Sequence, residues 1–69
     1  MIRIDARGMR CPWPAIRLAR ALREHRDSAV EILADDPAAP RELAQLAHSA
    51  GMRFAPLGDC ADPTFRIEP

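Results

Sequence analysis

Cys11 stands inside Arg10-Cys11-Pro12-Trp13-Pro14, five residues whose types suit sulfur chemistry. A cysteine becomes a nucleophile as its thiolate, and the start of a helix, with its free N–H groups and positive dipole end, stabilises that anion. Pro12 and Pro14 mark such a start, because a missing N–H matters least in the first helical turn. Arg7 and Arg10 would add positive charge, whereas Asp35 and Asp36 would oppose it if they come close. These features predict a Cys11 pKa below the free-thiol value of about 8.5. A small buried cysteine filling a helix–strand corner is the ordinary alternative. The proline-rich flank, with Arg10 and Trp13, argues for a thiol that is presented rather than packed.

The second cysteine, Cys60, falls in Gly58-Asp59-Cys60-Ala61-Asp62-Pro63 and reads as a bystander loop thiol or as a resolving partner. Two cysteines do not make a disulfide framework. Nor do two Cys and two His, lacking C-x-x-C or H-x₃-H spacing, make a metal site. His25 and His48 fall near helix C-termini, where a cation is favoured. No metal and no cofactor are expected.

The elements that must position Cys11 follow from periodicity. Ile2 and Ile4 alternate with Arg3 and Asp5 in a strand over 2–5. A loop containing Gly8 leads to Cys11. Ala15, Leu18, Ala19 and Leu22 then recur at helical spacing in a run reaching about Arg26. A second strand spans 29–34, with Val30 and Ile32 facing one way. Asp36 reads as the N-cap of a second helix with Pro37 at its first position, although Pro40 leaves that boundary open by a turn. Leu43, Leu46, Ala47 and Ala50 form its stripe and Gly51 stops it. Strands over 52–57 and 64–68 follow, joined as a hairpin.

The order β-α-β-α-β-β restricts the topology. Right-handed crossovers that step the same way put both helices on one face of the sheet. The last strand then fills the gap, giving spatial order 1-2-4-3. One sheet face would be apolar (Ile2, Ile4, Val30, Ile32, Phe54, Phe65, Ile67) and the other charged (Arg3, Glu31, Arg53, Arg66, Glu68). The expected fold is an α/β two-layer sandwich with one wet face. Pro56 falls in an edge strand, where proline is tolerated. Cys11, Asp35-Asp36-Pro37 and the loop bearing Cys60 gather at one sheet edge, beyond the carboxyl ends of the parallel strands, where reactive groups collect. Three strand spacings of about 4.8 Å separate the strands preceding the two cysteines, so a direct disulfide would need the loop to fold across the edge.

Composition bounds the rest. A chain of 69 residues fits one domain, 1–69, with a thin core and chemistry confined to an edge or a shallow groove. Ten basic residues, all arginine, balance ten acidic ones. That balance and the mixed-sign sheet face argue against nucleic acid and against an anionic membrane. With no apolar run suited to a leader or a span, a cytoplasmic protein with reduced thiols is expected.

Asp5-Ala6-Arg7-Gly8-Met9-Arg10-Cys11-Pro12-Trp13-Pro14 resembles the Gly-x-x-Cys-Pro-x-Pro signature of the TusA family of sulfur carriers, also called SirA-like. Asp35-Asp36-Pro37-Ala38 resembles that family's second motif at the right distance, and length and element order agree. The resemblance implies that Cys11 accepts sulfane sulfur as a persulfide. The donor would be a protein such as a cysteine desulfurase or a rhodanese, and an acceptor protein downstream would take the sulfur. Gly8, Arg10, Pro12, Trp13, Pro14, Asp35 and Asp36 would support that thiol. Family members serve tRNA thiolation, molybdenum-cofactor supply, sulfur oxidation and selenium metabolism. Trp13 stands where tRNA-thiolation members have a familiar acidic residue, which weakens that assignment. Two readings of Trp13 remain, a docking anchor beside the thiol or packing against its own helix or sheet. A redox-sensitive regulatory interaction module is the alternative function.

Overall fold

The computed structural model describes residues 1–58 and 63–69. The elements are β1 (Ile2–Asp5), α1 (Trp13–Glu24), β2 (Val30–Leu33), α2 (Ala39–Ser49), β3 (Arg53–Pro56) and β4 (Thr64–Glu68). The sheet order is β1-β2-β4-β3, with β1 and β2 parallel and the other pairings antiparallel. This is the expected 1-2-4-3 sandwich.

The alternation does the sorting. Val30, Ile32 and Ile67 are fully buried, Phe65 nearly so, and Ile2, Ile4 and Phe54 pack against them. Phe54 stacks on Phe65 with ring centroids 5.5 Å apart, a contact across neighbouring strands on the covered face. On the open face Glu31 sits between two arginines. Arg66 reaches it at 2.6 Å and Arg3 at 3.9 Å, because the register aligns Arg3, Glu31 and Arg66 in one row. Pro56 ends the edge strand β3.

Both helices lie on the apolar face and share one core with it. In α1 the buried residues are Pro14, Leu18, Ala21 and Leu22. Leu18 and Leu22 were expected there, whereas Ala15 and Ala19 are only half-buried. The stripe is wider than periodicity alone implied because α1 faces two neighbours. Ala21 lines a groove shared with Ile2 and Ile4 of β1, and Ala19 one shared with Leu46 of α2. The helix stops at Glu24, two residues short of Arg26, and the N–H of His25 caps it by donating to the Ala21 carbonyl at 2.9 Å.

The start of α2 needs a correction. It begins at Ala39, not at Pro37, and its cap position is Ala38. Had Asp36 been the cap, Pro40 would occupy the fourth helical position. There a backbone N–H must make the first intrahelical bond, and proline has none. Instead Asp36 organises a turn ahead of the helix: its Oδ2 accepts the Ala38 N–H at 3.0 Å and its carbonyl accepts that of Ala39 at 3.0 Å. Leu43 and Ala47 are buried, Leu46 half-buried and Ala50 exposed as the C-cap. Gly51 follows at φ +73°, the left-handed conformation that closes a helix. No helix among the described residues is long and apolar enough to cross a membrane.

Candidate functional site

The loop from Ala6 to Arg10 carries the chain from β1 to the start of α1. Its entry is fixed by the fully buried Ala6, whose N–H donates to the Leu33 carbonyl of β2 at 2.8 Å. Gly8 then adopts φ +82°, a left-handed conformation open to glycine at little cost. Its N–H donates to Asp35 Oδ1 at 2.9 Å across 27 residues of sequence. The two motifs singled out in the sequence are therefore joined by a hydrogen bond, with Asp35 holding the loop that delivers Cys11. Arg7 pairs with Asp5 through both guanidinium arms, at 2.9 and 2.7 Å. That pair holds the Asp5 carboxyl down at about 2.

Cys11 is exposed, one residue ahead of the α1 cap position, which Pro12 occupies; the Cys11–Pro12 peptide bond is cis. The Trp13 N–H donates to the Arg10 carbonyl at 2.8 Å, and Pro14 has no N–H to offer. This helix start therefore has fewer donors for a thiolate than an ordinary first turn. Trp13 is 57% exposed and Ile16, one turn on, 49%. Two exposed apolar side chains thus stand on the first turn of the helix that follows Cys11.

A residue that sequence reasoning passed over decides the electrostatics. Glu42 lies in the first turn of α2, and the Cys11 thiol donates to its Oε2 with Sγ and oxygen 2.6 Å apart. The expected lowering of the Cys11 pKa is overturned. The hydrogen bond to Glu42 pushes the thiol up first, followed by loss of surrounding water and by the negative charges of Glu42 and Asp36. Asp36 does come close, in the sense foreseen as unfavourable. The sequence held one signal for Glu42, an acidic residue in a helix's first turn, and that reads as dipole complementation.

Gly8, Arg10, Pro12, Trp13, Pro14, Asp35 and Asp36 thus all lie in the two loops and the helix start around Cys11, though Pro14 is buried in the core rather than presented. Cys60 lies outside the described residues, as does any question of its partner. Among the described residues no group of three or more His, Cys, Asp or Glu stands close enough to hold a metal ion. A groove of about 620 Å³ opens between the C-terminal ends of α1 and α2, lined by Leu22, Leu46 and Met52 among others. Both helix N-termini, and Cys11 with them, are at the other end of the layer. The chemistry available at Cys11 is that of an exposed sulfur at the start of a helix, open to thiol exchange.

Comparison with known proteins agrees with this geometry. The family model described as "Sulfurtransferase TusA" matches residues 2–68. A protein of Archaeoglobus fulgidus named "Putative sulfur carrier protein" is 33% identical over 68 residues, covering 97% of this chain and 88% of the relative. The crystal structure of a SirA-like protein from Desulfitobacterium hafniense superposes with a TM-score of 0.87 at 33% identity, over 97% of this chain and 95% of that one.

Proposed function

The chain belongs to the TusA family, and from that premise we propose that it is a sulfur carrier that loads and unloads a persulfide at Cys11. The observation that carries the reading is the exposure of Cys11 at the Cys-Pro-Trp-Pro helix start of a TusA-family fold. In loading, the Cys11 sulfur attacks the terminal sulfur of a donor's persulfide. The donor's S–S bond breaks, the donor leaves as a thiolate, and a new S–S bond forms at Cys11. In unloading, a thiol or acceptor enzyme takes the terminal sulfur by the same exchange. The sulfane sulfur changes hands without net oxidation. An exposed site suits this chemistry, because two proteins must bring their sulfurs into line and no pocket is required.

The donor would be a desulfurase- or rhodanese-type protein and the acceptor a second protein, both meeting residues 1–69 as a single carrier domain in the cytoplasm. Asp35 and Gly8 would set the loop, Pro12 and Pro14 the helix start, and Trp13 with Ile16 an apolar contact beside the sulfur. The test is incubation with a cysteine desulfurase and free cysteine, followed by intact mass after thiol trapping. The wild type and Cys60→Ser gain one sulfur atom, and Cys11→Ser gains none. Absence of any gain in the wild type, with every sulfane donor tried, would refute the carrier reading. Equal loss in both cysteine variants would make the two thiols a relay pair.

A further inference from the structure

We propose that Glu42 is a positioning residue of the carrier cycle, one that docks the empty Cys11 thiol and expels the loaded persulfide. This rests on Cys11 being the loading site. The contact is tertiary: α2 presents the carboxylate to a sulfur 31 residues away, at 2.6 Å. The second carboxylate oxygen, Oε1, is buried with no hydrogen-bond partner. A buried acceptor without a donor destabilises a fold, so packing gives no reason for a glutamate here. Leu43 and Ala47, on the same helix, already fill the core.

The empty thiol can donate to Glu42 only while it keeps its proton. Loading changes both the size and the charge of the group. The new S–S bond is about 2.0 Å long, so the terminal sulfur cannot take the place of the thiol proton within the 2.6 Å between Sγ and Oε2. A persulfide also ionises more readily than a thiol, so the loaded group is an anion facing a carboxylate. Asp36, on the link between β2 and α2, adds a second negative charge on the same side. Loss of the donated proton and like-charge repulsion therefore both break the contact on loading and turn the terminal sulfur outward. In balance, a donor persulfide R–S–SH and Cys11–SH give Cys11–S–SH and R–SH. One S–S bond breaks, one forms, and the persulfide proton goes to water as the loaded group ionises. The empty thiol, held protonated, is thus less reactive toward stray electrophiles although exposed, and the loaded carrier presents its cargo.

The experiment follows alkylation of Cys11 against pH in the full chain carrying Cys60→Ser, with Glu42→Gln and Glu42→Asp added in turn. Thermal unfolding is run on each. Gln removes the charge, so the profile should move to lower pH and the rate at neutral pH rise several-fold. Asp restores the charge and should bring the profile back toward the parent. After loading with inorganic polysulfide, alkylation of the persulfide should hardly differ between parent and Gln variant, since the contact is already broken. An unchanged profile in Gln, or equal shifts in Gln and Asp, would overturn the role of Glu42. Alkylation of the empty thiol needs no sulfur donor. Failure of the parent to load therefore counts against the carrier reading, and failure of the profile to move counts against Glu42.

Discussion

Replacing Asp35 by alanine separates stability from positioning at the Cys11 loop. Asp35 Oδ1 accepts the Gly8 N–H at 2.9 Å and so ties the loop before Cys11 to the end of β2. A hydrogen bond to a charged group contributes about 1.5–3 kcal/mol when shielded from water. Both partners here are exposed, so water replaces much of what is lost and the expected cost is ~1 kcal/mol. A domain of this length is stable by about 3–10 kcal/mol, at roughly 0.05–0.15 kcal/mol per residue. Asp35→Ala therefore stays folded, with a melting temperature lower by roughly 4–8 °C. The loop it releases includes a glycine at φ +82° and ends on Cys11, so sulfur loading should slow more than the loss of stability explains. Asp35→Asn retains an acceptor and should stay near the wild type in both respects. The assays are thermal unfolding by circular dichroism and the initial rate of sulfur gain by intact mass, with a small-molecule sulfane donor. Wild-type melting and loading in Asp35→Ala would refute the reasoning. Equal damage from Asn and Ala would show that charge, not the bond to Gly8, is what matters.

Two further outcomes follow from the same geometry. Trp13→Ala removes a ring that is more than half exposed; exchange with the cognate protein partner should weaken by ~2 kcal/mol, more than tenfold, while reaction with a small sulfur donor is unaffected, and a much lower melting temperature would identify Trp13 as a packing residue instead. The Asp5 carboxyl, held at about 2 by the Arg7 side chain and backbone against an ordinary 3.8, contributes stability that is fully present above about pH 4 and is lost as pH falls toward 2. A carboxyl NMR titration should find Asp5 returning toward its ordinary value in Arg7→Ala, and no movement would rule out the pair.

The amino-acid sequence by itself determined the element order, the sheet order and the identity of the two sheet faces. Those features rest on local information: a period of two in Ile2–Asp5 and Thr64–Glu68, helical spacing at Leu18, Leu22, Leu43 and Ala47, and the handedness of parallel crossovers. The helix start that follows Cys11 was equally legible, because Pro12 and Pro14 constrain the backbone they belong to. Boundaries were less so. Pro40 excluded Pro37 as the start of α2 only once its missing N–H was counted against one helical register. The sign of the effect on Cys11 was not in the local sequence at all. The helix start and neighbouring arginines pointed one way, and a carboxylate 31 residues distant settled it the other. Electrostatic influence acts through space, and the packing of α2 beside the start of α1 alone fixes which charges are near the sulfur.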